Sequence, residues 1–282
     1  MRPFNRRAHE VQMGSKRLDN KTAVIIGAGQ SPGEGVGNGR ATALLFAREG
    51  AKVLCVDRDL ASAQETAAKV HGEGGEAAAF AADVLSEAAL AAAINECKSR
   101  WGRIDILHNN VGISVAGGDA EVTEITGDAF DLIMRVNLRG TVMACKHVIP
   151  IMREQGNGSI INISSLAAIE NYPWVAYKAS KSAMVSFTEQ IAIQNARYGV
   201  RANAILPGLI DTPMAVDTRA RAWGKSRAEV AAARDAKVPL RNKMGTAWDV
   251  AYAALYLASE EAAFVTGVAL RVDGGGGINI GA

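Results

Sequence analysis

The chain has 282 residues, of which 49% are hydrophobic and 21% are charged, and these proportions exclude an intrinsically disordered protein. Its net charge of +2 comes from the N-terminus: residues 1–18 carry five basic side chains and one acidic, which leaves 26 basic and 28 acidic side chains elsewhere. A slightly acidic body lacks the basic face that a nucleic-acid-binding protein needs. No apolar run approaches the roughly 18 residues of a membrane span. We therefore expect neither nucleic acid nor membrane as a partner.

Residues 1–18 are interpreted as an extension in front of a folded body at 19–282. The extension is basic but lacks the apolar stretch of a secretory signal peptide. Three interpretations of it stay open: a disordered extension, an alternative translation start upstream of Met13, or a segment added for expression.

The cysteine and histidine patterns indicate the cellular compartment of the protein and whether it binds a metal. Three widely spaced cysteines without a CxxC pair are typical of reduced thiols, so we expect a cytoplasmic protein without disulfides or a zinc site. They are Cys55, Cys97 and Cys145. The four histidines show no metal-ligand spacing, so no metal is expected.

From Lys21 onward, short β-branched runs alternate with alanine-rich stretches of helical length. The pattern predicts seven strands, at Thr22–Gly27, Ala51–Asp57, Glu76–Ala82, Ile104–His108, Ser159–Ser165, Val200–Leu206 and Val268–Val272. The segments long enough for crossover helices are Gly39–Glu49, Leu60–His71, Glu87–Trp101, Thr126–Arg153 and Trp174–Tyr198. This alternation, without a linker or repeat, predicts one α/β domain with a Rossmann-like, doubly wound, seven-stranded parallel sheet.

The stretch 213–239 breaks the alternation because it is polar, rich in arginine and longer than a usual connection. Long segments beside a sheet often act as active-site lids, so we interpret it as a substrate lid and call it the lid segment. Its arginines could bind an anionic substrate, but interspersed acidic residues favour a solvated helix face. These arginines are Arg219, Arg221, Arg227 and Arg234.

A glycine-rich turn follows the first predicted strand, with glycines at 27, 29, 33, 35, 37 and 39. No stretch satisfies a strict GxGxxG. A strand, a turn that allows close backbone approach and a helix N-terminus nevertheless predict a pyrophosphate site. We assign cofactor contacts to Gly27, Gly37, Asn38 and Gly39. A glycine-rich surface loop is the alternative interpretation.

The second predicted strand ends at Asp57, eighteen residues beyond Gly39. A carboxylate here can accept hydrogen bonds from the adenosine ribose hydroxyls, and it repels a 2′-phosphate. This favours NAD(H) over NADP(H), and no lysine or arginine lies between Gly27 and Gly39 to hold a 2′-phosphate. Arg58 follows directly and would offset part of the preference. A solvated strand end is the alternative for Asp57.

Several short motifs follow one another along the chain in order. They are the glycine-rich turn, Asp83-Val84, Asn109-Asn110-Val111-Gly112, Asn137, Ser164-Ser165, Tyr177-Lys178-Ala179-Ser180-Lys181, Pro207-Gly208 and Val272-Asp273-Gly274-Gly275. YxxxK alone occurs often by chance, but the ordered set resembles the short-chain dehydrogenase/reductases in their shorter, non-extended branch. The resemblance extends from about Lys21 to Gly277 and implies a nicotinamide-dependent oxidoreductase.

Tyr177 and Lys181 stand four residues apart on a predicted helix and therefore share a face. A phenol with a pKa of about 10 is a poor base at neutral pH. A nearby ammonium, helped by the positive nicotinamide ring of NAD⁺, is expected to lower that pKa. Tyr177 would then act as general base in alcohol oxidation and as general acid in ketone reduction.

The resemblance implies further roles near Tyr177. Lys181 would also bind the nicotinamide ribose, Ser165 would hydrogen-bond the substrate oxygen, and Asn137 would anchor a water in a proton relay. Ser165 lies twelve residues before Tyr177, one fewer than is usual in the family, and the usual distance would select Ser164. We choose Ser165 because the last serine of the strand-end sequence INISS matches the family's catalytic position.

The resemblance also implies further cofactor contacts. Asp83 and Val84 would contact the adenine, and Asn109 and Gly112 the adenosine side. The segment expected at the nicotinamide carboxamide comprises Pro207, Gly208, Ile210 and Thr212. His108 is interpreted as a strand-end packing residue, and Tyr172 and Trp174 as lining either a substrate pocket or a subunit interface.

These features predict an NAD(H)-dependent oxidoreductase that interconverts a secondary alcohol and a ketone, both small molecules. An NADPH-dependent 3-oxoacyl reductase is one alternative, which Asp57 disfavours. A non-catalytic NAD(H)-binding sensor on the same fold is another, and the four candidate catalytic residues disfavour it. The segments Thr126–Arg153 and Trp174–Tyr198 resemble helices that pair subunits in the family, so a homotetramer is expected.

Overall fold

The computed structural model of the chain describes residues 16–279. The strands in this range are β1 (Thr22–Ile26), β2 (Lys52–Asp57), β3 (Ala77–Ala81), β4 (Ile106–Asn109), β5 (Gly158–Ile163), β6 (Val200–Pro207), β7 (Ile210–Asp211), β8 (Gly245–Thr246) and β9 (Ala269–Val272). The α-helices are α1 (Asn38–Arg48), α2 (Leu60–Gly72), α3 (Glu87–Trp101), α4 (Gly127–Met134), α5 (Gly140–Gln155), α6 (Val175–Asn195), α7 (Asp217–Trp223), α8 (Arg227–Asp235) and α9 (Ala247–Ala258).

Seven strands form one parallel sheet in the order β3-β2-β1-β4-β5-β6-β9. From β1 the chain first builds outward to β3 and then crosses to β4 on the other side. Ligands bind to open α/β sheets at such a reversal, beside the carboxyl ends of the strands. The predicted doubly wound, seven-stranded parallel sheet in a single domain is confirmed. The short strands β7 and β8 pair separately.

Helices cover both faces of the sheet, which explains why the central strands are apolar throughout. Side chains of α1, α2 and α9 pack on one face, and those of α3, α5 and α6 pack on the other. All five residues of β1 are buried, as expected for a strand with helices on both sides. None of the helices in the described part of the chain combines the length and apolar character that a membrane crossing requires.

The structure adds detail to the predicted helices. The predicted segment Thr126–Arg153 divides into α4 and α5, joined by a π-helical turn at Arg135–Arg139. The helix α9 was not among the predicted segments. Within the lid segment, the chain forms the two helices α7 and α8.

The folded body also begins earlier than residue 19. Leu18 is fully buried in the core beside α1, and its N–H donates a 2.8 Å hydrogen bond to the Glu49 carbonyl. Arg17 forms an ion pair with Glu261 at 2.6 Å. Lys16, Arg17 and Leu18 therefore belong to the body, which corrects the predicted boundary. Residues 1–15 lie outside the described range.

Candidate active site

A cavity of about 860 Å³ opens at the carboxyl ends of β1, β4, β5 and β6, where the lid segment contributes part of the wall. The predicted site residues that line it are Gly27, Gly37, Asn38, Gly39, Asp57, Arg58, Asp83, Val84, Gly112, Ser165, Tyr177, Lys181, Pro207, Gly208, Ile210 and Thr212. The two remaining predicted residues, Asn109 and Asn137, are buried behind the wall. The fold thus assembles residues that are up to 185 positions apart, from Gly27 to Thr212.

Backbone contacts explain the glycines in the turn after β1. Gly27 has a φ of +85°, in the left-handed region that residues with a Cβ rarely adopt. A Cβ on Gly39 would collide with the Gly27 carbonyl oxygen. The side-chain amide of Asn110 donates a 3.0 Å hydrogen bond to the same carbonyl. As a result α1 begins directly against the end of β1.

The N-terminus of α1 presents backbone N–H groups to the cavity. Gly37 precedes the helix without a side-chain cap from the described residues, and the first turn holds no acidic side chain. Asn38 lines the cavity, and its buried Oδ1 has no hydrogen-bond partner in the described part of the chain. Uncapped N–H groups and the helix dipole attract a phosphate oxyanion. These residues therefore fit a dinucleotide pyrophosphate.

Asp57 lies on the cavity wall at the end of β2. One carboxylate oxygen accepts a 3.0 Å hydrogen bond from the Gly29 N–H, and the other accepts a 3.1 Å bond from the Asp59 N–H. Two backbone groups therefore hold the carboxylate at the edge of the glycine-rich turn. The exposed side chain of Arg58 lines the cavity next to it.

The turn after β4 requires a correction. Asn109 is 4% exposed, does not line the cavity, and donates a 2.8 Å hydrogen bond to the Asn162 side chain in the core of the sheet. Its neighbour Asn110 lines the cavity instead. Consecutive side chains of a strand point to opposite faces, so only one of two adjacent asparagines can face the cavity. The structure therefore places Asn110 on the cavity wall, where the sequence analysis places Asn109.

Tyr177 and Lys181 lie one turn apart on α6 and line the cavity together, as their spacing predicts. The Lys181 Nζ lies 5.7 Å from the centroid of the Tyr177 ring and donates a 2.7 Å hydrogen bond to the Ile163 carbonyl. The Asp119 carboxylate accepts hydrogen bonds of 3.0 Å from the N–H groups of Ala176 and Tyr177. This cap, which sequence reasoning missed, fixes the first turn of α6.

Burial controls the charge of both groups. It raises the pKa of Tyr177 to about 12, against the opposing effect of a hydrogen bond with Ser165, and lowers the pKa of Lys181 to about 7. In the protein by itself the pKa of Tyr177 is therefore raised and not lowered, because desolvation is its largest influence. The sequence argument also relied on the nicotinamide ring, whose charge belongs to the cofactor.

The two adjacent serines have different surroundings. The Ser164 hydroxyl donates a 2.8 Å hydrogen bond to the Lys181 carbonyl, which ties the end of β5 to α6. The Ser165 hydroxyl accepts a 3.2 Å bond from the Ala167 N–H and also interacts with the Tyr177 phenol. Ser164 is thus occupied in holding the backbone together, and this placement supports the choice of Ser165.

Asn137 lies fully buried in the π-helical turn between α4 and α5. Its side chain pairs with both backbone groups of Ile113, accepting from the N–H at 2.8 Å and donating to the carbonyl at 2.9 Å. A Cβ placed on Gly112 would lie 3.2 Å from the Lys181 Nζ and 3.6 Å from the Asn137 Oδ1. Asn137 therefore fixes the turn beside Lys181, and its water-anchoring role stays a prediction.

The lid segment places two of its arginines on the cavity wall, Arg219 from α7 and Arg234 from α8. For these two the expected solvated face is wrong, since α7 and α8 turn them inward. The expectation holds for Arg221, which is exposed, whereas Arg227 forms an ion pair with Asp211 at 2.6 Å. The direction of each arginine depends on how the helices pack.

Aromatic side chains complete the surroundings of Tyr177. Tyr172 lines the cavity, and its ring centroid lies 5.5 Å from that of Tyr177. Trp174 packs edge-on against Tyr172 at 5.5 Å. His108 is fully buried with its ring edge toward Phe46, and burial lowers its pKa to about 3, as expected of a packing residue.

Comparison with known proteins gives concordant results. Residues 34–276 match the family model described as enoyl-(acyl carrier protein) reductase. The chain is 39% identical over 263 residues to 2-(S)-hydroxypropyl-CoM dehydrogenase 3 of Xanthobacter autotrophicus, which covers 93% of this chain and 98% of the relative. It is 34% identical over 262 residues to a 3-oxoacyl-(acyl-carrier-protein) reductase of Thermotoga maritima, covering 92% and 98%.

Among solved structures, the chain is similar to a protein described as a short-chain dehydrogenase/reductase from Burkholderia xenovorans. The two share a TM-score of 0.86 and 38% identity, over 95% of this chain and 100% of the other. Sequence likeness thus extends over almost the whole chain, and the likeness of fold is equally complete. The protein therefore belongs to the short-chain dehydrogenase/reductase family, whose members are oxidoreductases that act on CH–OH groups with a nicotinamide cofactor.

Proposed function

We propose that the protein is an NAD(H)-dependent oxidoreductase that interconverts a secondary alcohol and a ketone. The observation that carries this proposal is the convergence of Tyr177, Ser165 and Lys181 on one cavity that also contains the uncapped start of α1. An acid–base group and a dinucleotide-sized cavity next to each other are what hydride-transfer chemistry requires.

The cavity offers a place for each part of the cofactor. The start of α1 would hold the pyrophosphate, Asp57 the adenosine ribose, and Lys181 the nicotinamide ribose. When bound, the nicotinamide ring supplies a hydride to the ketone or accepts one from the alcohol. NAD is favoured over NADP because Asp57 would repel a 2′-phosphate. Arg40, the first arginine of α1, is buried against Glu65 at 2.8 Å and offers no charge to such a phosphate.

Side chains of the protein donate the proton to the substrate oxygen and accept it back. With a pKa raised to about 12 by burial, Tyr177 is protonated at neutral pH, so the phenol can donate its proton to the oxygen of a ketone. In the oxidation direction Tyr177 would take the alcohol proton as its phenolate, a form that the positive charge of a bound nicotinamide ring would favour. The Ser165 hydroxyl would hold the substrate oxygen against Tyr177, and Lys181 would hold a proton beside it.

We also propose that the protein assembles as a homotetramer. Large apolar side chains are exposed at several places on the described surface. Phe130 and Ile193 lie on the α4 and α6 side, where they are 37% and 72% exposed. Phe264 and Val268 lie next to β9 and are 103% and 36% exposed. Exposed apolar side chains of this size suit burial in contacts between subunits.

The test of the proposed function is Tyr177→Phe, which removes the acid–base hydroxyl and keeps the ring. Turnover of a panel of secondary alcohols with NAD⁺, and of ketones with NADH, should fall by about 10²–10⁴-fold. Binding of NADH, followed by its fluorescence, should stay close to that of the wild type. Tyr252→Phe on the exposed face of α9 is the matched control. Near wild-type turnover by Tyr177→Phe would contradict the mechanism.

A further inference from the structure

Two guanidinium groups of the lid segment lie at the reacting end of the cavity. Arg219 and Arg234 line the cavity together with Tyr172 and Tyr177. Burial raises the pKa values of both tyrosines, and the positive charge of Arg219 opposes that rise. Both tyrosines in turn act on the charge of Arg234. The two arginines are therefore neighbours of the acid–base group and of each other.

The charges of these arginines are poorly compensated within the protein. The buried Nε of Arg234 has no hydrogen-bond partner among residues 16–279. Burial lowers the pKa of Arg234 to about 10, and repulsion from Arg219 adds to the effect. Arg219 donates a 3.1 Å hydrogen bond to the Ala215 carbonyl of its own segment. Like charges brought together away from water destabilise the protein unless a ligand neutralises them.

The carboxylates nearby do not neutralise the pair. Asp211, the carboxylate that acts on Arg234, is already bound to Arg227 at 2.6 Å. Glu170 and Asp273 also line the cavity. Asp273 accepts 2.9 Å hydrogen bonds from two backbone N–H groups. Among residues 16–279, Glu170 forms no ion pair with either arginine; burial raises its pKa, and the nearby charge of Lys178 opposes that rise.

We propose that the substrate carries an oxyanion, a carboxylate or a sulfonate, which Arg219 and Arg234 bind while Tyr177 acts on its alcohol or ketone. This inference deepens the proposed function and rests on it for the identity of the reacting group. Guanidinium groups bind such oxyanions through paired, charge-assisted hydrogen bonds. The Nε of Arg234 would gain the partner that it lacks in the protein alone.

Binding of non-reactive probes tests the anion site without requiring catalysis. The probes are butanoate, propane-1-sulfonate and the neutral butanamide, each titrated by ligand-observed NMR into the protein alone and with NAD⁺ present. Arg219→Met and Arg234→Met each remove one charge from the site. Lys225→Met removes one charge from the exposed connection between α7 and α8 and is the matched control. Circular dichroism verifies that each variant is folded.

Butanoate or propane-1-sulfonate should bind more tightly than butanamide. Each arginine variant should weaken anion binding by about tenfold or more, whereas Lys225→Met should leave it unchanged. If neither anion bound more tightly than butanamide, or if the arginine variants that fold kept full anion affinity, the inference would be overturned. The anion whose affinity falls more in the arginine variants indicates whether the substrate carries a carboxylate or a sulfonate.

Catalysis gives a separate readout. Secondary alcohols with a terminal carboxylate or sulfonate should have a higher kcat/KM than their neutral amide analogues. The arginine variants should reduce this preference for the anionic substrate. Turnover of neutral and anionic substrates at equal kcat/KM would overturn the inference and leave the proposed function intact. No turnover of any alcohol or ketone would overturn the proposed function, whatever the probes show about the anion site.

Discussion

Lys181 shows how strongly a single residue depends on its surroundings. In the sequence it is a cation four residues after a tyrosine. In the structure it is 2% exposed, and its Nζ donates to the Ile163 carbonyl. A carbonyl stabilises the ammonium less than water does, so burial lowers the pKa to about 7. The lowered pKa of Lys181 makes the stability of the folded protein depend on pH.

We predict that Lys181 makes the protein more stable as the pH rises from about 7 to about 10. A lysine in the unfolded chain has a pKa of about 10.4, so over this range the unfolded state binds more protons than the folded state. Lys181→Met abolishes this difference. Urea unfolding of both proteins without cofactor, at about pH 7 and about pH 9.5, should show the wild type gaining stability relative to the variant. Parallel pH dependences would contradict the assignment.

Asp57 carries the cofactor prediction. Asp57→Asn keeps an oxygen that can accept a hydrogen bond from the turn but removes the charge that repels a 2′-phosphate. We expect the ratio of kcat/KM for NAD⁺ to that for NADP⁺ to fall by about tenfold, mostly through a lower KM for NADP⁺. Steady-state kinetics with both cofactors measures the ratio. A wild-type enzyme that prefers NADP⁺ would overturn the cofactor assignment.

At the scale of elements, the glycine-rich turn at residues 27–39 contacts the lid segment. The Glu34 N–H donates a 3.2 Å hydrogen bond to the Asp217 carboxylate, and the Arg227 guanidinium lies 3.7 Å from the Glu34 carboxylate. Arg221 donates to the Pro32 carbonyl at 3.2 Å. The segment that would hold the pyrophosphate and the segment that covers the substrate side therefore pack together. This gives the long loop a structural role.

Gly33→Ala should separate these two segments. Gly33 has a φ of +148°, and a Cβ there would lie 2.5 to 2.7 Å from three atoms of the Asp217 side chain. We expect KM for the alcohol to rise several-fold and trypsin to cleave faster within the lid segment. Gly35→Ala is the matched control, because its φ is +84° but a Cβ would have no atom within 4 Å. Equal effects of the two variants would mean that the change comes from backbone strain alone and not from the lost contact with Asp217.

At the scale of the whole molecule, the exposed apolar side chains predict how the chains assemble. Light scattering should give a mass close to four times 29.6 kDa. Phe264→Asp places a charge next to β9 and should dissociate the tetramer into smaller assemblies. Leu60→Asp changes an isolated exposed leucine at the start of α2 and should leave the mass unchanged. A monomeric wild type would contradict the prediction.

The sequence by itself determined the sheet, the position of the glycine-rich turn and the Tyr177–Lys181 pair. Each of these follows from local periodicity or short spacing: buried strands are apolar throughout, and residues four apart share a helical face. The helix α9 escaped this reasoning, and the segment Thr126–Arg153 gave no sign of the π-helical turn that holds Asn137.

Only the tertiary structure decided which neighbour faces the cavity and which charges are buried. It selected Asn110 over Asn109, brought Asp119 from a distant loop to the start of α6, and turned Arg219 and Arg234 inward. These outcomes depend on the packing of segments far apart in the chain. Desolvation likewise depends on the whole surroundings of a group, so the pKa values of Tyr177 and Lys181 could not be inferred from their spacing.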